Sequence, residues 1–219
     1  MKKHLIILFI LFQFNTNAQN NEWHHYLGSN IIQIPTLTAD FSYLTSNRHW
    51  YDLVVNTGYT FHYLPYADIN AILLSPHYKG GNDGYHMLNQ SGPYVNPGIK
   101  FNFRKDETDN KYFFIGFLSK NSFLHEKTRY SAPSSNETHI FEHNKFIYGL
   151  SIWAGFNFKM KDKINSDLGI QISKPLTNIS NLYGYQNYIP GIGYMEIAEP
   201  SYHIFPLIVW NFKYKIGKN

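Results

Sequence analysis

The chain has 219 residues, which is room for one domain of ordinary size. It contains no cysteine, which excludes both a disulfide framework and a lipid-modified N-terminal cysteine. Its 19 basic and 15 acidic residues give a net charge of +4, too small to indicate a nucleic-acid-binding protein.

The first residues have the pattern of a secretory signal. Lys2 and Lys3 precede an apolar run from Leu5 to Phe12, and the small residues Thr16 and Ala18 stand three and one positions before Gln19. A helix that spans a bilayer needs about 20 apolar residues, so this run is too short to be one. We expect residues 1–18 to be a cleaved signal peptide and residues 19–219 to form a single domain, with the net charge reduced to +2.

Later apolar runs are all interrupted by Asn, Lys, Gly or Pro well before about 18 residues, so any membrane crossing would use strands. The strongest strand signal is an apolar and polar alternation over 15 residues. Globular strands usually have about 5 to 6 residues, whereas tilted barrel strands are longer. In chain order, the eight predicted strands are Ile34 to Tyr43, Leu53 to Tyr63, Ile69 to Ser75, Val95 to Arg104, Lys111 to Phe123, Phe146 to Met160, Asp167 to Ser173 and Ile204 to Ile216.

The connections between these strands alternate in length. Three short polar turns are predicted on one side, at Pro65 to Asp68, Lys105 to Asn110 and Lys159 to Asn165. On the other side a brief connection at Ser46 to Trp50 is followed by three long loops, Pro76 to Pro93, Leu124 to Lys145 and Lys174 to His203. Short turns at one end and long loops at the other are typical of bacterial outer-membrane barrels.

Together these patterns resemble the small eight-stranded outer-membrane β-barrels of Gram-negative bacteria. The final strand, with Trp210, Phe212 and Tyr214 at alternate positions, is similar to the C-terminal assembly signal of that family. The aromatic content of 18% suits rings placed in girdles at both membrane interfaces. The resemblance implies an all-β, antiparallel up-and-down transmembrane barrel in the outer membrane, in contact with its lipid and with the assembly machinery.

Several residue groups suggest chemistry but have simpler explanations. The string from His139 to His143 matches an H-x-x-E-H zinc motif, yet its flanks predict a strand, in which Glu142 would project opposite the histidines. Gly80 to Gly84 lacks the Lys and helix of a phosphate loop. Histidines in or beside predicted loops are His49, His77, His86, His125, His139, His143 and His203, without the spacing of a closed metal site.

An enzyme is the first alternative, because some outer-membrane barrels carry a Ser, His and acid set at their outer rim. The residues that would supply it are Ser131, Ser134, Ser135, His139 and Glu142. They lie in a Ser, Asn and Pro-rich stretch without a nucleophile elbow, which favours a loop. We therefore predict no catalytic, cofactor-binding or metal-binding residue and no cofactor.

The leading expectation is a non-enzymatic barrel that either binds an unidentified extracellular ligand through its long loops or simply adds structure to the envelope. Residues expected to face lipid are Ile99, Phe101, Ile152, Phe156 and Ile208, and those expected to face the lumen are Lys100, Asn102, Gly155 and Asn157. Further lumen candidates are Asp40, His62, Arg104 and Asp167, whose mixed charges would fill a narrow barrel. The second alternative is a soluble, lipocalin-like barrel in the periplasm, with the apolar face turned inward around a ligand.

Overall fold

A computed structural model describes residues 23–47, 50–74, 85–104, 109–131, 138–179, 186–196 and 204–216. Within them, eight antiparallel strands form a closed barrel in which chain neighbours pair and the last strand returns to the first. These barrel strands are β1 (Trp23–Asn30), β2 (Thr38–Asn47), β3 (Tyr51–Thr60), β4 (Tyr85–Phe103), β5 (Lys111–Ser131), β6 (Thr138–Lys161), β7 (Ile164–Pro175) and β10 (Phe205–Ile216). The predicted all-β, eight-stranded up-and-down architecture is confirmed.

The connection between β7 and β10 contains a separate two-stranded hairpin, formed by β8 (Gln186–Ile189) and β9 (Gly193–Glu196). Among the residues that the structure describes, helical structure is limited to the 3-10 helices η1 (Ile31–Thr36) and η2 (Pro65–Ala67) and the single-turn helix α1 (Ile69–Leu74). In the described part of the chain, no helix has the length and apolar character needed to cross a membrane.

One predicted strand is wrong and one strand was missed. Residues 69–74 form α1 rather than a strand, because their apolar residues do not alternate with polar ones and Asp68 caps the helix by accepting a 2.8 Å hydrogen bond from the backbone N–H of Asn70. The missed strand is β1. The predicted strand from Ile34 to Tyr43 begins instead within η1 and continues into β2. Since one strand was wrongly predicted and one was missed, the predicted number of barrel strands, eight, is still correct.

Because β1 was missed and residues 69–74 were taken as a strand, two connections were predicted at the wrong end of the barrel. Ser46 to Trp50 joins β2 to β3 at the end where β1 begins and β10 ends, together with the short turns after β4 and β6. We call this the terminal end. Pro65 to Asp68 lies at the opposite end, which we call the loop end. Short turns and longer connections do alternate between the two ends, but Ser46 to Trp50 and Pro65 to Asp68 each lie at the end opposite to the predicted one.

The predicted long loops are partly strand. β5 continues to Ser131 and β6 begins at Thr138, so most of Leu124 to Lys145 is a paired ribbon. Pro76 to Pro93 overlaps β4, and Lys174 to His203 includes the end of β7 and the hairpin. The rest of these loops includes residues 76–84, 132–137, 180–185 and 197–203, which lie outside the described residues, as does the predicted signal peptide.

The predicted orientation of the sheet is confirmed. Ile152 is 54% exposed and Phe156 is 46% exposed, whereas Lys100, Asn102 and Asn157 on the opposite face are at most 5% exposed. Gly155 is buried, and the predicted outward residues Ile99, Phe101 and Ile208 are half-buried. Other exposed apolar residues on the outer face include Leu53, Phe103, Phe117, Leu150, Leu168, Ile170, Ile172 and Trp210.

The outward apolar face forms a belt of limited height. On β5 it extends from Phe113 to Phe123, with the polar residues Ser119 and Asn121 on the same face, and at about 3.3 Å per residue this is about 33 Å along the strand. A strand tilt of about 40° reduces this to roughly 25 Å along the barrel axis. Beyond Phe123 the outer face becomes polar, where Lys127 Nζ lies 3.4 Å from Glu142 Oε2. Below the belt, Lys111 Nζ lies 5.2 Å from the Phe156 ring centroid.

Candidate functional site

The lumen is filled in three layers, and the layer nearest the terminal end is an ionic network. Lys100 Nζ lies 3.0 Å from Asp52 Oδ2 and 3.2 Å from Asp167 Oδ2. Lys213 Nζ lies 2.6 Å from the same Asp167 oxygen, and Asn157 donates to Asp167 Oδ1 at 2.6 Å. Buried charges are tolerated when they are paired in this way. Two lysines and two aspartates leave the network without net charge.

Strand register places these side chains together. Asp52 on β3 is directly opposite Lys100 on β4, and Asn157 on β6 is directly opposite Asp167 on β7. β10 adds Lys213 two positions from Asn211, the residue paired with Asp167. Five strands therefore contribute to the network.

The middle layer is apolar. Its residues are Leu44, Val54, Phe114, Leu118, Trp153, Leu207 and Val209, all at most 6% exposed. The rings of Phe114 and Trp153 pack edge to face with centroids 4.6 Å apart. Because a close-packed apolar layer offers no partners to a hydrated ion, it closes the lumen to ions and polar solutes.

The third layer is the hairpin formed by β8 and β9, which we call the plug (residues 186–196). Its turn enters the barrel, where the carbonyl oxygen of Gly191 accepts 2.9 Å hydrogen bonds from Lys120 Nζ and Asn96 Nδ2. The Ile192 carbonyl accepts from Ser173 Oγ at 3.0 Å. Three barrel strands thus hold the backbone of the plug at its turn.

Tyr188 anchors the plug on its other side. Its ring stacks on Tyr63 with centroids 4.0 Å apart, and its hydroxyl donates to Gln33 Oε1 at 3.0 Å. Its backbone N–H donates to Gln90 Oε1 at 3.2 Å. Burial raises the pKa of Tyr188 to about 12, so the hydroxyl remains a hydrogen-bond donor at neutral pH.

Gly191 is expected to be essential for seating the plug. Its φ of 69° lies in the left-handed region, and a Cβ added there would be 2.3 Å from Cγ of Tyr94. We expect Gly191→Ala to lower the free energy of unfolding by about 2 to 4 kcal/mol, of which about 1 to 3 kcal/mol comes from overpacking and the rest from the left-handed backbone, measured by urea unfolding in lipid vesicles. In a Tyr94→Ala background the loss should fall to the roughly 1 kcal/mol cost of left-handed backbone. An equal loss in both backgrounds would contradict this packing.

Asp68 makes the stability of the protein depend on pH through a buried carboxyl group at the loop end. Its carboxylate is buried and accepts from the Tyr63 hydroxyl at 2.8 Å, and burial raises its pKa above the usual value despite these hydrogen bonds. The folded protein therefore holds this proton more tightly than the unfolded chain does. The resulting stabilisation is complete below the unfolded pKa of about 3.9 and is lost as the pH rises through the folded pKa.

Asp68→Asn is expected to remove this dependence while keeping a cap for α1. The difference in unfolding free energy between wild type and Asp68→Asn should therefore move against wild type as the pH rises from about 4 to 7. The control is Asp162→Asn, since the Asp162 side chain is 98% exposed. A pH-independent difference at Asp68 would show that its carboxyl has the same pKa in both states.

A polar cavity of about 240 Å³ opens at the terminal end, below the ionic network. We call it the vestibule. Its lining includes Arg104, Lys159, Lys215, Asp109 and Asp162, with the network residues Asp52 and Lys213 at its floor. The guanidinium carbon of Arg104 lies 5.5 Å from the centroid of the Tyr112 ring.

The predicted lumen residues lie at different levels. Lys100 and Asp167 belong to the ionic network, and Arg104 lines the vestibule. Asp40 lies on the plug side of the apolar layer, where it accepts from the Asn30 backbone N–H at 2.8 Å and pairs with the Tyr94 hydroxyl. His62 lies beyond β3 at the loop end, with Nδ1 2.8 Å from Asn89 Oδ1, so its placement in the lumen was wrong. Lys120 and Lys213 were not predicted to face the lumen, although both lie on the inward face of a strand whose side chains alternate between the two faces.

The other candidates show no assembled chemistry. His139, Glu142 and His143 lie on β6, where strand geometry directs Glu142 opposite the two histidines. Among the described residues, no cluster of three His, Asp or Glu is suited to a metal ion. The sites lying outside the described residues are His49, His77, His203, Ser134, Ser135 and Gly80 to Gly84.

Comparison with known proteins gives little beyond the architecture. No protein-family model and no curated protein matches the chain. The crystal structure of Neisserial surface protein A is similar with a TM-score of 0.42 and 8% identity, covering 89% of this chain and 93% of that one. The likeness is in the course of the chain. It carries no argument about function.

Proposed function

We propose that the mature chain is a closed, non-enzymatic barrel of the Gram-negative outer membrane that acts through its outer surface. The observation that carries this proposal is the outward apolar belt, about 25 Å high, around a lumen that holds buried charges and polar side chains on both sides of its apolar layer. A water-soluble barrel has the opposite arrangement. Short turns face the periplasm in such barrels, so the terminal end faces the periplasm and the loop end faces outward.

A pore function is disfavoured by the filled lumen. The ionic network, the apolar layer and the plug each occupy the cross-section of the barrel at a different height. An eight-stranded barrel is only wide enough for its side chains to fill the interior. Any exchange with the surroundings therefore takes place at the ends of the barrel.

The loop end offers the larger surface for recognition. β5 and β6 remain paired from Leu124 to Ser131 and from Thr138 to Lys145, beyond the apolar belt. The outer face of this ribbon carries polar pairs, including His125 Nδ1 at 2.9 Å from Asn144 Oδ1. Loops on a rigid scaffold are common binding sites, which supports the expectation of an extracellular ligand.

The two alternatives receive less support. A lipocalin-like role needs an open apolar lumen, whereas this lumen is filled and the apolar face points outward. For catalysis, Ser131 pairs with Thr138 and His139 with Tyr130 in the strand ladder, while Glu142 lies on the opposite face from His139. These positions do not form a nucleophile, base and acid relay.

Cell fractionation with detergent extraction tests the proposal. We expect the protein in the outer-membrane fraction, migrating differently on a gel before and after boiling, and N-terminal sequencing should begin at or near Gln19. A periplasmic extract serves as the matched control fraction. Recovery there as a soluble protein, or an intact Met1, would overturn the membrane location or the export signal respectively.

A further inference from the structure

A groove on the outer surface of the barrel begins where β1 ends. β1 stops at Asn30 and η1 follows it, so β10 has no strand partner on this side beyond the pair of Asn211 with Asn30. Toward the start of β10, the backbone N–H of Ile208 donates to Asn70 Oδ1 at 2.5 Å. The N–H of Trp210 donates to Asn30 Oδ1 at 3.1 Å. At the loop end, η1, α1 and these side chains therefore complete the wall in place of a strand.

The groove is apolar and has a volume of about 430 Å³. Its walls are four apolar side chains that are each 46 to 63% exposed: Ile34, Leu37, Phe41 and Phe61. Two outward strand positions in the lining, Ser29 and Ala39, carry small side chains. The recess results because these small side chains lie beside large ones on the same face. Exposed apolar surfaces of this kind mark contacts with ligands or membranes.

Leu37 has a backbone conformation that is unusual for leucine. Its φ of 56° and ψ of 39° lie in the left-handed region, and among the described residues every other positive φ belongs to a glycine. The conformation is disfavoured for a bulky residue because Cβ approaches the carbonyl oxygen. Glycine would avoid that strain, yet the leucine side chain is nearly half exposed and gains little from contacts within the protein. Strained residues are concentrated at binding surfaces, which indicates that the exposed leucine serves the groove.

The groove offers apolar contact and no free charge. Among the described residues of its lining, Asp40 is the only ionisable one, and its carboxylate points into the lumen. There it accepts the 2.8 Å hydrogen bond from the Asn30 N–H and pairs with the Tyr94 hydroxyl. The Thr38 hydroxyl is buried and lies 2.9 Å from the Thr60 hydroxyl. A charged ligand therefore finds no counter-charge in the groove, whereas a hydrocarbon chain finds apolar contacts.

The groove lies at the loop-end border of the apolar belt. The rings of Tyr59 and Phe61 pack there with centroids 4.9 Å apart. Trp50 and Tyr51 form a similar pair, with centroids 5.3 Å apart, at the terminal end of β3. Aromatic rings at both borders of the belt are typical of barrels in a membrane. A groove at this height meets the acyl chains of the lipid leaflet on the loop-end side.

We propose that the groove holds one acyl chain of an outer-leaflet lipid in a fixed position. The proposal rests on the membrane location and orientation proposed above. A volume of about 430 Å³ equals roughly 14 groups of the size of a water molecule, at about 30 Å³ each, and a methylene group is of similar size. The groove therefore accommodates most of one acyl chain. An extended polypeptide would bring backbone N–H and C=O groups, for which this apolar groove has no partners.

The test is native mass spectrometry of the detergent-solubilised mature chain with myristoyl lysophosphatidylethanolamine, a lipid with a single acyl chain. A sterol-based detergent without flexible chains avoids competition for the groove. We expect saturable retention of one lysolipid per barrel, whereas glycerophosphoethanolamine, which lacks the chain, should not be retained. A lysolipid with the same chain and a phosphoglycerol headgroup should be retained equally, because the groove contacts only the chain.

Three variants locate the site. Ala39→Phe fills the groove and should weaken retention by about 10-fold or more. The matched control is Ala154→Phe, which places the same ring at another half-buried, outward position of the belt and should leave retention unchanged. Leu37→Gly removes one wall and relieves the strained backbone, so it should weaken retention several-fold without lowering the urea midpoint of unfolding. Each variant is first checked for heat-modifiable migration.

The proposal is overturned if the wild type retains no lysolipid, or if Ala39→Phe and Ala154→Phe retain it equally. A dimer that Ala39→Phe abolishes, in the absence of a lysolipid adduct, would identify a second copy as the occupant and would also overturn it. Because retention is measured in detergent, cell fractionation tests the membrane location separately. An outer-membrane protein without selective retention contradicts the acyl-chain site alone, whereas a periplasmic protein with selective retention contradicts the location and supports the acyl-chain site.

Discussion

Asp167→Asn is expected to lower the free energy of unfolding by about 3 to 5 kcal/mol, the cost of breaking a buried ion pair by removing one partner. Asp167 is fully buried and lies within 3.2 Å of both Lys100 Nζ and Lys213 Nζ. The substitution keeps the side-chain volume but leaves two buried ammonium groups with only Asp52 between them. Urea unfolding in lipid vesicles at neutral pH measures the effect.

Two control variants separate the effect of the lost charge at Asp167 from other effects of the substitution. Asp162→Asn removes the same charge from an exposed pair and should cost at most about 1 kcal/mol. In the double variant Asp167→Asn with Lys213→Met, the charge balance of the network is restored, so most of the lost stability should return. If the single variant cost no more than Asp162→Asn, the network would have no stabilising role.

Ile152→Arg is expected to cost about 2 to 4 kcal/mol in a bilayer, the penalty of a cation on the lipid face at the membrane midplane. Ile152 is 54% exposed and lies midway between Phe146 and Phe158 on β6. At this point of β6 the introduced guanidinium cannot reach into the lumen, because the neighbouring inward residues Ser151 and Trp153 are buried. The measurement is the unfolding free energy in vesicles.

The matched control is Ile140→Arg on the same strand and the same face. Ile140 is 59% exposed but lies beyond the belt, where polar pairs cover the outer surface. We expect a change within about 0.5 kcal/mol, as for an ordinary surface substitution. Equal costs at both positions would mean that the exposed apolar face does not contact lipid.

The barrel architecture was predictable because its strands alternate strongly. The alternation from Phe146 to Met160 lies wholly within β6, and the predicted last strand differs from β10 by one residue. Alternation specifies which residues share a face but not which face is inside, and the glycines of one face together with the aromatic residues at strand ends favoured that face as the lumen. Of the ionic network, only Lys100 and Asp167 were predicted as lumen charges, and the pairings within the network depend on strand register.

Three features were not predictable from local patterns. β1 is short and has His24, Tyr26 and Gly28 on its inner face, so its alternation is weak. Residues 69–74 are apolar except for Asn70, and such a short run does not distinguish a helix from a strand. The plug contains ordinary turn residues, and its entry into the lumen depends on Asn96 and Lys120, which are about 95 and 71 positions away in the chain.

Closure of the barrel joins the two most distant strands of the described chain, with Tyr26 directly opposite Lys215. Pairing over such a separation carries a high loop-closure entropy and makes folding slow. Until β10 arrives, β1 and β7 both present unpaired edges to other polypeptides. A chain that stalls before synthesis of its last twelve strand residues would therefore be an aggregation hazard, and it would also lack Lys213, the cation that completes the interior.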